Sequence, residues 1–213
     1  MNADFILHAL LGLLPVCCFL AALVLLDSYK LVSIRWVISV IALGCGAALL
    51  SYPLNVAGLE WLDIGFSNFT RYVAPLIEEA LKALLIVILI RRNRVGFLVD
   101  AAIFGFAVGA GFAIFENLFY LQALPDTQLG TWIVRGFGTA IMHGGATAIF
   151  AIVSHTLAGQ HPTKGNVVLL PGFAVAVIVH SVFNHFFFAP IVNTLLVLVT
   201  LPILLTIVFQ QSE

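Results

Sequence analysis

The stretch Pro75-Leu-Ile-Glu78-Glu79-Ala-Leu-Lys82 decides how this chain is read, because two carboxylates and an ammonium stand inside a run of Ala, Leu, Ile and Val. A charge at the centre of a bilayer costs about 2.5–3.5 kcal/mol on insertion scales, so an ionisable residue in such a place marks a functional site by default. Glu78 and Lys82 are four residues apart and Glu79 and Lys82 three, spacings that put them on one face of a helix. That face cannot be turned toward hydrocarbon. It must meet polar groups from other helices or a water-filled cavity.

Outward from this stretch the chain is apolar almost throughout. Its 213 residues are 62% hydrophobic and 9% charged, with a mean hydropathy of +1.14, whereas a soluble domain carries roughly a quarter charged residues. Runs of about the 20 residues needed to cross a bilayer occur near 5–26, 36–57, 71–90, 96–122, 132–157, 166–188 and 190–209, the last separated from its neighbour only by Ala189 and Pro190. The expected fold class is therefore all-α, a polytopic membrane helix bundle of about seven transmembrane helices. It reads as one domain over residues 1–213 with its motif-bearing core at about 71–188.

A net charge of −1 and the lack of any long basic run exclude a nucleic-acid partner. Cys17, Cys18 and Cys45 lie in apolar runs without the spacing of a zinc site and read as small membrane hydrophobes. The N-terminus has no basic segment before its apolar run, so a retained first span is expected rather than a cleaved signal. Lys30, Arg35, Arg91, Arg92, Arg94 and Lys164 fall in the odd connectors; Glu60, Asp63 and Asp126 fall in the even ones. The positive-inside rule then puts the N-terminus outside and, with seven spans, the C-terminus in the cytoplasm. Tyr52, Trp61, Tyr72, Tyr120 and Trp132 mark the outer interface and Trp36 the inner one.

With that topology each polar residue has a depth, at about 1.5 Å per residue. Glu78, Glu79, Glu116, Asn117, His143, His180 and Asn184 all fall roughly 6–16 Å below the outer face, from four different helices. A carboxylate held near neutral pKa by burial or by a second carboxylate takes a proton from water. Imidazoles and amides donate hydrogen bonds to the oxyanion of a tetrahedral intermediate, which suits His143, His180 and Asn184. The set fits hydrolysis of a peptide bond by an activated water. Glu79, Glu116, His143 and His180 are equally a candidate ligand set for a divalent metal such as zinc, with a bound water completing the shell. The His-Glu-x-x-His helix of ordinary zincins is absent, and no Ser or Cys is evidently paired with these histidines. The alternative class is a proton- or ion-coupled transporter using the same Glu/His layer; against it, no inverted repeat of broken hydrophobic segments is visible.

Glu78-Glu79-Ala-Leu-Lys82, Gly111-Phe-Ala-Ile-Phe-Glu116-Asn117 followed by Tyr120, His143 in the fifth run, and His180-Ser-Val-Phe-Asn184 together resemble the motif series of the PrsW family of intramembrane proteases. That family is related to the CAAX prenyl endopeptidases and bacteriocin-processing proteins. The CAAX enzymes carry His where this chain has Glu116 and usually Arg where it has Lys82, so the PrsW branch is favoured. The resemblance implies a helical protease acting on a membrane-associated or membrane-anchored protein. It also implies roles: a water-activating base within Glu78 and Glu79, Lys82 setting their ionisation, Glu116 as a further carboxylate, and His143, His180 and Asn184 as ligands or oxyanion donors. Asn117 and Arg135 are supporting residues.

Overall fold

In hydrocarbon a backbone amide finds no partner outside its own helix, and long runs of Leu, Ile, Val, Ala and Phe fold accordingly. The computed structural model describes residues 3–26, 32–123 and 129–185, together with the single residue Val199. Among these residues there is helix and short turn, and no strand. The main helices are α1 (Ala3–Leu26), α2 (Ile34–Leu62), α3 (Ala74–Arg91), α4 (Leu98–Ala123), α5 (Ala140–Gln160) and α6 (Leu170–His185). Two are entered through π-helical segments, Phe69–Val73 before α3 and Val134–Thr139 before α5. A 3₁₀ segment, Pro162–Leu169, leads into α6.

Among the described residues four helical stretches are long and apolar enough to cross a membrane: Ile34–Leu62, Leu98–Ala123, Leu129–Gln160 and Pro162–His185. A shorter apolar helix, Ile6–Ala22, lies within α1. The described residues thus bear out an all-helical chain with several spans and do not confirm the expected number of seven. With 18 residues α3 is about 27 Å long, but Glu78, Glu79, Lys82 and Arg91 set it apart from the uniformly apolar helices. The expected run at 190–209 lies outside the described residues, apart from Val199, as do Lys30 and Asp126 in the connectors.

Helix α4 is the axis of the bundle, buried without a break from Asp100 to Ala113. Small residues make this possible by letting backbones touch where hydrophobic driving force is absent. A Cβ at Gly109 would collide with the backbone carbonyl of His143 on α5, and one at Gly111 with the carbonyl of Ile41 on α2. These two glycines therefore fix α4 between α2 and α5, and Gly109 fixes it at the level of His143. Gly109→Ala is expected to destabilise the fold by about 1–3 kcal/mol, the usual range for overpacking. The thermal midpoint in detergent checks this, and a midpoint equal to the parent's would mean that α4 and α5 have slack at this crossing.

The odd connectors lie together on one side. The Arg94 guanidinium stacks over Trp36 at 4.5 Å, and Arg91 Nη2 donates to Asn166 Oδ1 at 2.7 Å. At the other side Tyr52 packs on Phe119 and Tyr72 on His185. Asp100 sits on the connector side, where its Oδ2 accepts the amide hydrogens of Gly96 and Phe97 at the start of α4.

Candidate active site

Pro75 lies in the first turn of α3, directly after the π segment, and the helix then carries Glu78 and Glu79 one turn further in and Lys82 two. Lys82 is fully buried and forms an ion pair with Glu79, itself 2% exposed. Lys82 Nζ also lies 2.9 Å from His143 Nδ1 and 4.7 Å above the ring of Phe112. Glu79 Oε1 is shared: it meets Lys82 Nζ and, at 2.8 Å, Nδ1 of His180 on α6. Both spacings on α3 allowed Lys82 a glutamate partner. The structure gives it Glu79.

Glu78 is left in a different situation. Its Oε1 accepts a hydrogen bond from Asn55 Nδ2 on α2 at 3.0 Å, and its Oε2 faces His180 Nε2 across 3.8 Å. That gap is too long for a hydrogen bond. With Nδ1 on Glu79, Nε2 is the ring nitrogen of His180 turned toward Glu78. Glu78 is 13% exposed against 2% for Glu79, so of the adjacent pair it is the less enclosed.

His143 and His180 meet edge to face, their ring centroids 4.8 Å apart. His143 Nε2 lies 3.0 Å from Glu116 Oε2 on α4. Because the Lys82 ammonium donates to Nδ1, Nε2 carries the proton and donates to Glu116. Glu116 Oε1 in turn pairs with Arg135 Nη2 at 3.4 Å. At 25% exposed, Glu116 forms the outer rim of the cluster. One connected path of polar contacts thus runs from Arg135 through Glu116, His143, Lys82, Glu79 and His180 to the edge of Glu78.

The two supporting residues meet directly: Arg135 Nε donates to Asn117 Oδ1 at 3.2 Å, and its guanidinium stacks over Tyr120 at 3.8 Å. Asn117 Nδ2 donates to Gly12 O on α1 at 2.9 Å and reaches Arg135 O at 3.4 Å. Asn184, expected beside the glutamates, instead donates its amide to Thr70 O at 2.8 Å, while Ser181 Oγ donates to Arg71 O. Thr70 and Arg71 belong to the first π segment and Arg135 to the second. A π segment frees carbonyls from the regular helical ladder, and side chains from neighbouring helices take them up. Asn55 was not singled out by its sequence; the only signal was an amide alone in the second apolar run. His185 bonds Tyr72 OH and Ser181 O, away from the cluster.

The donor chemistry bears on a metal. Among the described residues Glu78, His143 and His180 each offer a ligand atom, all within 4.8 Å of one another. The four expected ligands are not the set brought together: Glu79 is committed to Lys82 and to the far nitrogen of His180, and Glu116 to His143 and Arg135. Two histidines and a glutamate are a common catalytic zinc set. A carboxylate on the second nitrogen of a ligating histidine, as Glu79 is on His180, is the usual support for one. His180 and Glu78 fit as they stand; His143 completes the set when one of its two ring bonds is released.

A family model described as PrsW family intramembrane metalloprotease matches residues 32–208. No curated protein and no solved structure matches the chain.

Proposed function

The chain belongs to the PrsW family of intramembrane metalloproteases, and we propose that it hydrolyses a peptide bond of a membrane-anchored protein with a water activated by Glu78. The observation that carries this reading is the facing pair Glu78 Oε2 and His180 Nε2, 3.8 Å apart and not hydrogen-bonded to each other, with the far end of each group held by another side chain. Glu78 Oε2 takes the proton of the water and later delivers it to the leaving amine, so its charge is restored at the end of the cycle. Glu79 fixes the tautomer and orientation of His180. Lys82 is paired with Glu79 and not with Glu78, so the two neighbouring glutamates do different work. His143 and Glu116, backed by Arg135, close the opposite wall.

His143 and His180 would hold a divalent ion, zinc being the one imidazole donors suit, with Glu78 beside it as the base acting on the water and not as a ligand. Such an ion supplies a Lewis acid that lowers the pKa of a bound water toward neutrality. As a family of intramembrane proteases implies, the substrate is a membrane protein, met inside or at the surface of the bilayer. The charge pattern of the connectors supports a site opening toward the outer face, with the N-terminus outside and the C-terminus inside.

The test uses the purified full chain in vesicles, with a panel of membrane-anchored fluorogenic peptides. Cleavage is expected in the parent chain, lost on treatment with a strong chelator and restored by zinc. Cleavage that survives chelation, with metal analysis showing none bound, would overturn the metal and leave Glu78 to act alone. No cleavage of any anchored peptide would sink the reading.

A further inference from the structure

Three asparagines of this bundle place their amides on neighbouring helices, and one differs from the other two. Asn117 and Asn184 donate to backbone carbonyls and tie helices together. Asn55, on α2, donates to a side chain, the Glu78 carboxylate, at 3.0 Å. Its own carbonyl oxygen, Oδ1, is buried and has no hydrogen-bond partner among the described residues.

We infer that Asn55 is a positioning residue for Glu78: its N–H holds Oε1, so that Oε2 is the oxygen presented to the reacting water. This rests on the role given to Glu78 above. The terminal torsion of a glutamate is broad and roughly two-fold, so without a donor on one oxygen either would face His180 Nε2. Among the described residues no charged group is paired with Oε1, and the other close polar contact they give Glu78 is His180 Nε2, which lies across from Oε2. An acceptor buried without a donor lowers stability, which argues against a stabilising purpose for this amide. Each such orphan in a native fold calls for an explanation, and here the donor end supplies it. Asn55 lies on α2, upstream of the Glu78-to-Asn184 motif series, and only the tertiary packing of α2 against α3 brings it to the site.

The experiment compares Asn55→Leu, Asn55→Gln and Glu78→Gln in the full chain, measuring kcat, KM and the thermal midpoint. For Asn55→Leu, kcat is expected to fall by about 10–100-fold, the range for residues that orient a reacting group, with KM unchanged. Its thermal midpoint is expected to stay level or rise, because the orphan oxygen is removed. Asn55→Gln retains a carboxamide and is expected to recover part of kcat. In a Glu78→Gln background Asn55→Leu should have no further effect. A lower midpoint with proportional loss of folded protein would make Asn55 structural and overturn the inference. Full activity of Asn55→Leu beside an inactive Glu78→Gln would overturn it while sparing the role of Glu78. Full activity of Glu78→Gln would remove that role, and the positioning of Glu78 with it.

Discussion

Glu78→Gln is expected to lower kcat by about 10²–10⁴-fold, the contribution of a positioned general base, while the chain folds and inserts normally. The substitution keeps the volume and an acceptor for Asn55 Nδ2, so the contact from α2 survives. What is lost is the proton-accepting oxygen opposite His180 Nε2. Because Glu78 is more exposed than Glu79 and has no buried cation of its own, removing its charge leaves nothing uncompensated behind. The corresponding Glu79→Gln is different in kind: it strips Lys82 of its counter-ion and His180 of its acceptor, so loss of activity there comes with loss of stability. Measuring cleavage and thermal midpoint side by side separates the two. A Glu78→Gln chain that cleaves as fast as the parent would remove Glu78 from the reaction.

Lys82→Met is expected to destabilise the chain by about 3–5 kcal/mol, the range for breaking a buried pair by removing one partner. Methionine fills nearly the same space over Phe112, so cavity formation contributes little. The cost comes from Glu79, left as a carboxylate 2% exposed with only His180 beside it. The double variant Lys82→Met/Glu79→Gln should recover much of the loss, because the uncompensated charge goes with it. Thermal unfolding of the parent, both single variants and the double variant in the same detergent gives the coupling directly. Additive losses, with no recovery in the double variant, would mean that the pair is not coupled as its geometry implies.

Much of this was legible in the chain itself. Glu78, Glu79 and Lys82 in an apolar run cannot face lipid, and the depths of Glu116, His143 and His180 follow from counting residues. Those two facts bring the polar layer together without coordinates. Legibility ended at rotation about the helix axes. Spacing allowed Lys82 either glutamate, allowed Asn184 a place beside them, and gave no reason to look at Asn55.

Hydropathy and residue order are enough to make the chain helical and membrane-embedded and to say which helices carry charge and at what level, because hydrocarbon tolerates no other placement of those groups. Only the tertiary structure decided which polar atom meets which. Helix rotation and offset are set by close backbone contacts such as Gly109 against His143 and Gly111 against Ile41. A contact of that kind depends on two distant residues at once, and a periodicity read along one chain does not contain it.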